Sequence, residues 1–167
     1  MTKVRAAGIT SGSVVDGLGV RTVAFFQGCP RHCDGCHNPE TRPFDDGKEM
    51  NVSELVQEVL ETITPLTKGI TFSGGEPLAQ MEALIEAIKM LKQKKPYLDI
   101  WVYTGYTWEE IKDKPVLEMI DVLVDGPFIQ EQKDLTLAFR GSLNQRIIDV
   151  QETIKQGELV ELKLETE

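Results

Sequence analysis

The chain holds three cysteines, and all three fall within eight residues: Gly28-Cys29-Pro30-Arg31-His32-Cys33-Asp34-Gly35-Cys36-His37. Such dense spacing lets a short loop wrap several thiolates around one metal centre. The odd count argues against a simple set of internal disulfides. Two centres suit these residues. Zinc would take the three thiolates plus His32 or His37 in a closed tetrahedral site. A cubane iron–sulfur cluster usually takes four cysteines. With only three available, one iron lacks a cysteine ligand and stays open to substrate.

The rest of the sequence alternates between two periodicities. Residues 20–27 (VRTVAFFQ) are rich in β-branched and aromatic side chains and predict a strand that runs directly into the cysteine loop. Residues 69–73 (GITFS), 99–104 (DIWVYT) and 121–125 (DVLVD) predict three more strands, and 146–150 another. Leu55, Val56, Val59, Leu60 and Ile63 recur at helical spacing behind Ser53, the expected N-cap. A second helix is expected over 78–92, with Leu84, Ile85, Ile88 and Leu91 on one face. Short helices follow near 107–112 and 115–119. Alternating strands and helices imply an α/β fold with a mainly parallel sheet.

In such sheets, sites form at the carboxyl ends of the strands. The cysteine loop, Gly74-Gly75-Glu76-Pro77, Tyr103-Thr104-Gly105-Tyr106 and Asp125-Gly126-Pro127-Phe128 all fall there, so they are expected to converge on one face. The glycines of the second motif permit positive φ and close approach of a ligand.

Size and charge bound the function. A full eightfold βα barrel takes at least about 200 residues, so a chain of 167 supplies only part of one. It is expected to form a single domain over residues 1–167. A net charge of −9 argues against nucleic-acid binding, which relies on neutralising phosphates. No apolar run is long enough to span a bilayer, and no apolar segment follows Met1-Thr2-Lys3-Val4-Arg5. A cytoplasmic protein without a membrane partner is expected.

The cysteine spacing resembles the hallmark of the radical S-adenosylmethionine superfamily. The resemblance implies that Cys29, Cys33 and Cys36 hold a 4Fe-4S cluster whose fourth iron binds the methionine end of S-adenosylmethionine. Gly74-Gly75-Glu76 is similar to that family's glycine-rich turn, which contacts the amino group of S-adenosylmethionine; Glu76 would add charge complementarity or hold the turn. Many members place an aromatic residue before the last cysteine. Here that position is Gly35, which leaves adenine stacking to another group, with His37 the candidate.

Ser13-Val14-Val15-Asp16-Gly17-Leu18-Gly19-Val20-Arg21 resembles the N-terminal signature of glycyl-radical activating enzymes. There Arg21 either pairs with a carboxylate, braces the cluster loop or is a surface charge. Gly35, His37 and Asn38, the segment 124–128 and the segment 140–146 are similar to the branch that activates anaerobic ribonucleoside-triphosphate reductase. This implies an open, incomplete (βα)6-like partial TIM barrel, that reductase as protein substrate, and a one-electron donor protein. Activation of another glycyl-radical enzyme, such as pyruvate formate-lyase, is the nearest alternative, and a zinc-stabilised binding module the alternative of another class. Asp125 and the segment 140–146 serve either docking or a salt-bridged scaffold.

Overall fold

A computed structural model of the chain describes residues 2–29 and 47–162. Its strands are β1 (Lys3–Ser13), β2 (Val20–Phe26), β3 (Lys48–Asn51), β4 (Thr67–Gly74), β5 (Asp99–Tyr103), β6 (Val122–Asp125) and β7 (Arg146–Asp149). They form one seven-stranded sheet in the order β3-β1-β2-β4-β5-β6-β7. The four central strands β2, β4, β5 and β6 are parallel, with antiparallel pairs on either side. The α/β class expected from the sequence is therefore present, with β3 and β7 as the sheet edges among the described residues.

Two strands were not legible. β1 is built largely from Ala, Gly, Ser and Thr, so its propensity is weak; pairing to both β2 and β3 holds it in the sheet. β3 is only four residues long and lies on the edge. β7 was expected, but it runs antiparallel to β6, with Asp125 opposite Arg146. Of the residues beyond Gln151, which sequence reasoning leaves unassigned, those described, 152–162, form the end of helix α4 (Val150–Gln156) and then return to β7. Asp149 N–H donates to Val160 O (2.9 Å), and Leu162 N–H to Ile147 O (2.7 Å).

Helix α1 (Val52–Thr62) starts two residues earlier than the Ser53 cap would require, because Asn51 is the cap. Asn51 holds the extended cap conformation, and its N–H donates to the Glu54 carboxylate at 3.0 Å. Val52, Leu55, Val56 and Val59 then face the sheet. A 3-10 turn over Pro77–Gln80 leads into α2 (Met81–Lys94), which buries Ala83, Leu84, Ala87, Ile88 and Leu91. The third helix, α3 (Trp108–Ile111), is a single turn.

Each strand divides its side chains between two cores, as a period of two requires. Ala24, Phe26, Ile70, Phe72, Ile100, Val102, Leu123 and Ile148 pack beneath α1 and α2. Phe26 meets Phe72 edge-on at 5.7 Å. Burying each such side chain contributes about 1.5–3 kcal/mol. The opposite face carries a smaller cluster of Trp101, Val122, Val124 and Ile147, covered by Leu18, Phe139 and Leu162. No helix among the described residues is long and apolar enough to cross a membrane.

Candidate active site

The parallel register of β2 and β4 sets the site. Phe26 lies opposite Gly74, and the pairing continues past the strand ends. Gly75 N–H donates to Phe26 O, and Glu76 N–H to Gly28 O, both at 2.8 Å. Cys29 follows directly, partly exposed, so two hydrogen bonds hold the start of the cysteine loop beside Gly74-Gly75-Glu76. Cys33, Gly35, Cys36 and His37, and the alternative ligand His32, lie outside the described residues.

Gly74 has φ +104°, and a Cβ there would sit 2.4 Å from Phe26 O and 2.6 Å from Phe26 N. Only glycine allows the two chains to approach this closely in that conformation. Gly74 and Gly75 remain partly exposed, so their backbone is available to a ligand. Glu76 is fully buried. Its Oε1 accepts from Gly105 N–H (2.7 Å), and its Oε2 from the Thr104 hydroxyl (2.8 Å) and Leu78 N–H (3.1 Å). Hydrogen bonds to a charged group contribute about 1.5–3 kcal/mol each. Of the two sequence readings for Glu76, its side chain adopts the one in which it holds the turn.

Thr104 continues the connection outward. Its N–H donates to Val124 O at 2.9 Å, and its hydroxyl accepts from Tyr106 N–H at 3.1 Å. Gly126 N–H donates to Tyr106 O at 2.7 Å. The carboxyl ends of β2, β4, β5 and β6 are thereby stitched into one hydrogen-bonded rail. The convergence expected from the sequence is met for Cys29, Gly74, Gly75, Glu76 and the segments after β5 and β6. Sequence reasoning places Thr104 only within the segment 103–106 expected at this face; its contact with Glu76 had no signal beyond a hydroxyl-bearing residue at a strand end before glycine.

Arg21 lies near the amino ends of the strands, away from the cysteine loop. It is fully buried, so the surface-charge reading fails. Its guanidinium donates to Thr71 Oγ1 (2.7 Å), Leu18 O (2.8 Å) and Ile70 O (3.1 Å), and pairs with the Asp99 carboxylate. The reading in which it pairs with a carboxylate is the one the structure adopts.

Asp125 and the segment 140–146 are scaffold in the described structure. Asp125 accepts from Trp108 N–H (2.8 Å) and Arg146 Nε (3.1 Å), while Arg146 also reaches Glu109. That ion pair holds the Glu109 carboxyl below its ordinary range, the side-chain hydrogen bond from Arg146 being the main cause. Gln145 donates to Gly126 O, and Asn144 to Pro127 O, fixing the turn after β6. Tyr103 packs in the smaller core and donates to Phe139 O at 2.7 Å. Burial, with the Asp16 charge second, pushes its phenol far up.

Among the described residues, no group of three or more His, Cys, Asp or Glu could hold a metal ion. The cysteine loop therefore has no competing centre among them. Cys29, the cysteine among the described residues, is partly exposed just past the carboxyl end of β2 and next to a turn with accessible backbone, a position that suits a cluster ligand.

The fold defines an α/β protein, and the family described as 4Fe-4S single cluster domain matches residues 15–148, a span that includes the three cysteines. The chain is 38% identical to the anaerobic ribonucleoside-triphosphate reductase-activating protein of Haemophilus influenzae, covering 80% of this chain and 90% of that one. The protein of that name from Escherichia coli K12 is 34% identical (79% and 90% covered), and that of enterobacteria phage T4 33% identical (80% and 86%). The chain belongs to the family of anaerobic ribonucleoside-triphosphate reductase-activating proteins. Among solved structures, QueE from Escherichia coli shares the fold with a TM-score of 0.50, at 14% identity, over 63% of this chain and 54% of that one.

Proposed function

We propose that this protein is a radical S-adenosylmethionine enzyme that activates anaerobic ribonucleoside-triphosphate reductase by generating a glycyl radical on it. The observation that carries the reading is the Gly28–Glu76 backbone hydrogen bond, which seats Cys29 beside the Gly74-Gly75-Glu76 turn. The names of the relatives give the substrate protein.

In this reading Cys29, Cys33 and Cys36 hold a 4Fe-4S cluster with one iron open. The bound cluster, once reduced, supplies the electron that cleaves S-adenosylmethionine to methionine and a 5'-deoxyadenosyl radical, which takes hydrogen from a glycine Cα of the reductase. The partly exposed backbone of Gly74 and Gly75 receives the amino group of the methionine moiety. Glu76 keeps that backbone in place from beneath, and Gly35 and His37 complete the cofactor's surroundings. A one-electron donor protein supplies the reducing equivalent.

The chain is read as a single domain, residues 1–167, acting in the cytoplasm, its sheet the arc of an open, incomplete (βα)6-like barrel. An open arc leaves one wall of the site to be supplied by the large partner, which suits exclusion of water from a reactive radical.

The test is anaerobic reconstitution with iron and sulfide, reduction, and addition of S-adenosylmethionine with the reductase present. The expected products are 5'-deoxyadenosine and a glycyl-radical signal on the reductase, both lost in Cys29→Ala, Cys33→Ala and Cys36→Ala. Cleavage without a radical on this reductase, but with one on pyruvate formate-lyase, would move the assignment to that partner. Stoichiometric zinc and no cleavage would replace the reading with the structural zinc module.

A further inference from the structure

We propose that Thr104 is a positioning residue for S-adenosylmethionine, acting through Glu76 and without touching the ligand. The inference rests on the function proposed above and extends it to a residue outside the cysteine loop and the glycine-rich turn.

The Thr104 side chain is buried at the end of β5. Its hydroxyl is used in both senses. It donates to Glu76 Oε2 at 2.8 Å and accepts from Tyr106 N–H at 3.1 Å. Glu76 in turn takes Gly105 N–H on its other oxygen. One carboxylate thus ties the turn after β4 to two consecutive residues after β5. The same Glu76 is tied through its own N–H to Gly28 O, immediately before Cys29.

The distance between the cluster loop and the backbone of Gly74 and Gly75 therefore depends on where Glu76 sits. Thr104 helps fix that position from the side opposite Cys29. A ligand that contacts both a cluster held by the cysteine loop and the turn backbone would be sensitive to this spacing, whereas the number of thiolates available to the cluster would not change. Loss of the hydroxyl should weaken the ligand while leaving cluster assembly intact.

Thr104→Val preserves the β-branched shape and removes the donor and acceptor. In the anaerobically reconstituted full chain, the iron and sulfide content should match the unmodified protein. The equilibrium dissociation constant for S-adenosylmethionine, followed by the change in the reduced cluster's electron paramagnetic resonance signal, should rise at least about 5-fold, but by less than for loss of a buried hydrogen bond made to the ligand itself, about 10- to 100-fold. At saturating S-adenosylmethionine the signal should be that of the unmodified protein. Thr104→Ser should restore affinity to within about threefold, since its hydroxyl can make both bonds. If the valine variant is poorly folded, Thr104→Ala and Thr104→Ser form the comparison, and their difference must show the same loss and rescue.

Equal affinity in the hydroxyl-free and hydroxyl-bearing variants would overturn the role of Thr104 and leave the proposed function standing. An unmodified protein with a full cluster that gives no spectral response to S-adenosylmethionine would instead overturn the function itself.

Discussion

The Arg21 guanidinium lies 5.3 Å from the centroid of the Trp101 ring, stacked over its face on the side of the sheet away from α1 and α2. Around it the Asp99 carboxylate, the Thr71 hydroxyl and the backbone carbonyls of Leu18, Ile70 and Asp99 accept its hydrogen bonds. Removing it would strand buried acceptors and uncover the ring. Arg21→Met should destabilise the protein by about 2–4 kcal/mol, mainly through the buried acceptors it leaves unpaired, since Asp99 is partly exposed and keeps Lys68. Urea unfolding would measure it; a change below 1 kcal/mol would show that the cluster is not an integral part of the fold.

Gly74→Ala places a Cβ 2.4 Å from Phe26 O at a positive φ. Neither backbone can yield without breaking the hydrogen bond from Gly75 to Phe26. We expect a loss of more than about 1 kcal/mol in stability, together with weaker retention of S-adenosylmethionine. Thermal melting and ligand titration on one preparation would check both. Gly157→Ala serves as the comparison: it also has positive φ, but nothing lies within 4 Å of its added Cβ, so only the conformational penalty should appear.

Tyr103 makes stability depend on alkaline pH. Burial raises its phenol above the ordinary value of 10.0, so the folded state keeps the proton while the unfolded state gives it up. A raised pKa of this kind contributes stability fully below the unfolded value. It is lost as pH climbs above about 10. Tyr103→Phe should cost about 1 kcal/mol at pH 7 through the lost bond to Phe139 O. It should also have a shallower decline between pH 9 and pH 11. Parallel melting curves for the two proteins that show no convergence would refute this.

The two acids that share Arg146 should differ sharply. Asp125 is fully buried and receives four hydrogen bonds, two of them from the Arg146 side chain. Glu109 is mostly exposed. Asp125→Asn is expected to destabilise by about 2–4 kcal/mol and to loosen the turn at Gly126. Glu109→Gln should change stability by less than about 1 kcal/mol, because solvent screens an exposed pair. Denaturant titrations that rank the two in the opposite order would show that the exposed contact carries the clamp.

Local pattern explains what could be read in advance. The β-branched runs of β2, β4, β5 and β6 and the apolar faces of α1 and α2 identify themselves within a few residues, because each element repeats its own periodicity. β1 escaped because Gly8, Gly12 and its small polar residues carry little strand propensity. Its place in the sheet comes from partners in β2 and β3.

The sequence by itself determined the cysteine spacing, the glycine-rich turn, the order of the parallel strands' elements and the family to which they belong. Tertiary structure decided the work of individual polar side chains. Nothing near Arg21 in the chain says that Asp99, 78 residues away, will accept its charge. Nor does anything near Glu76 say that Thr104, 28 residues on, will hold its carboxylate. Buried polar groups need partners, and which partners arrive depends on the register between strands distant in sequence. Motifs follow from local chemistry; the geometry that makes them a site is supplied by long-range pairing.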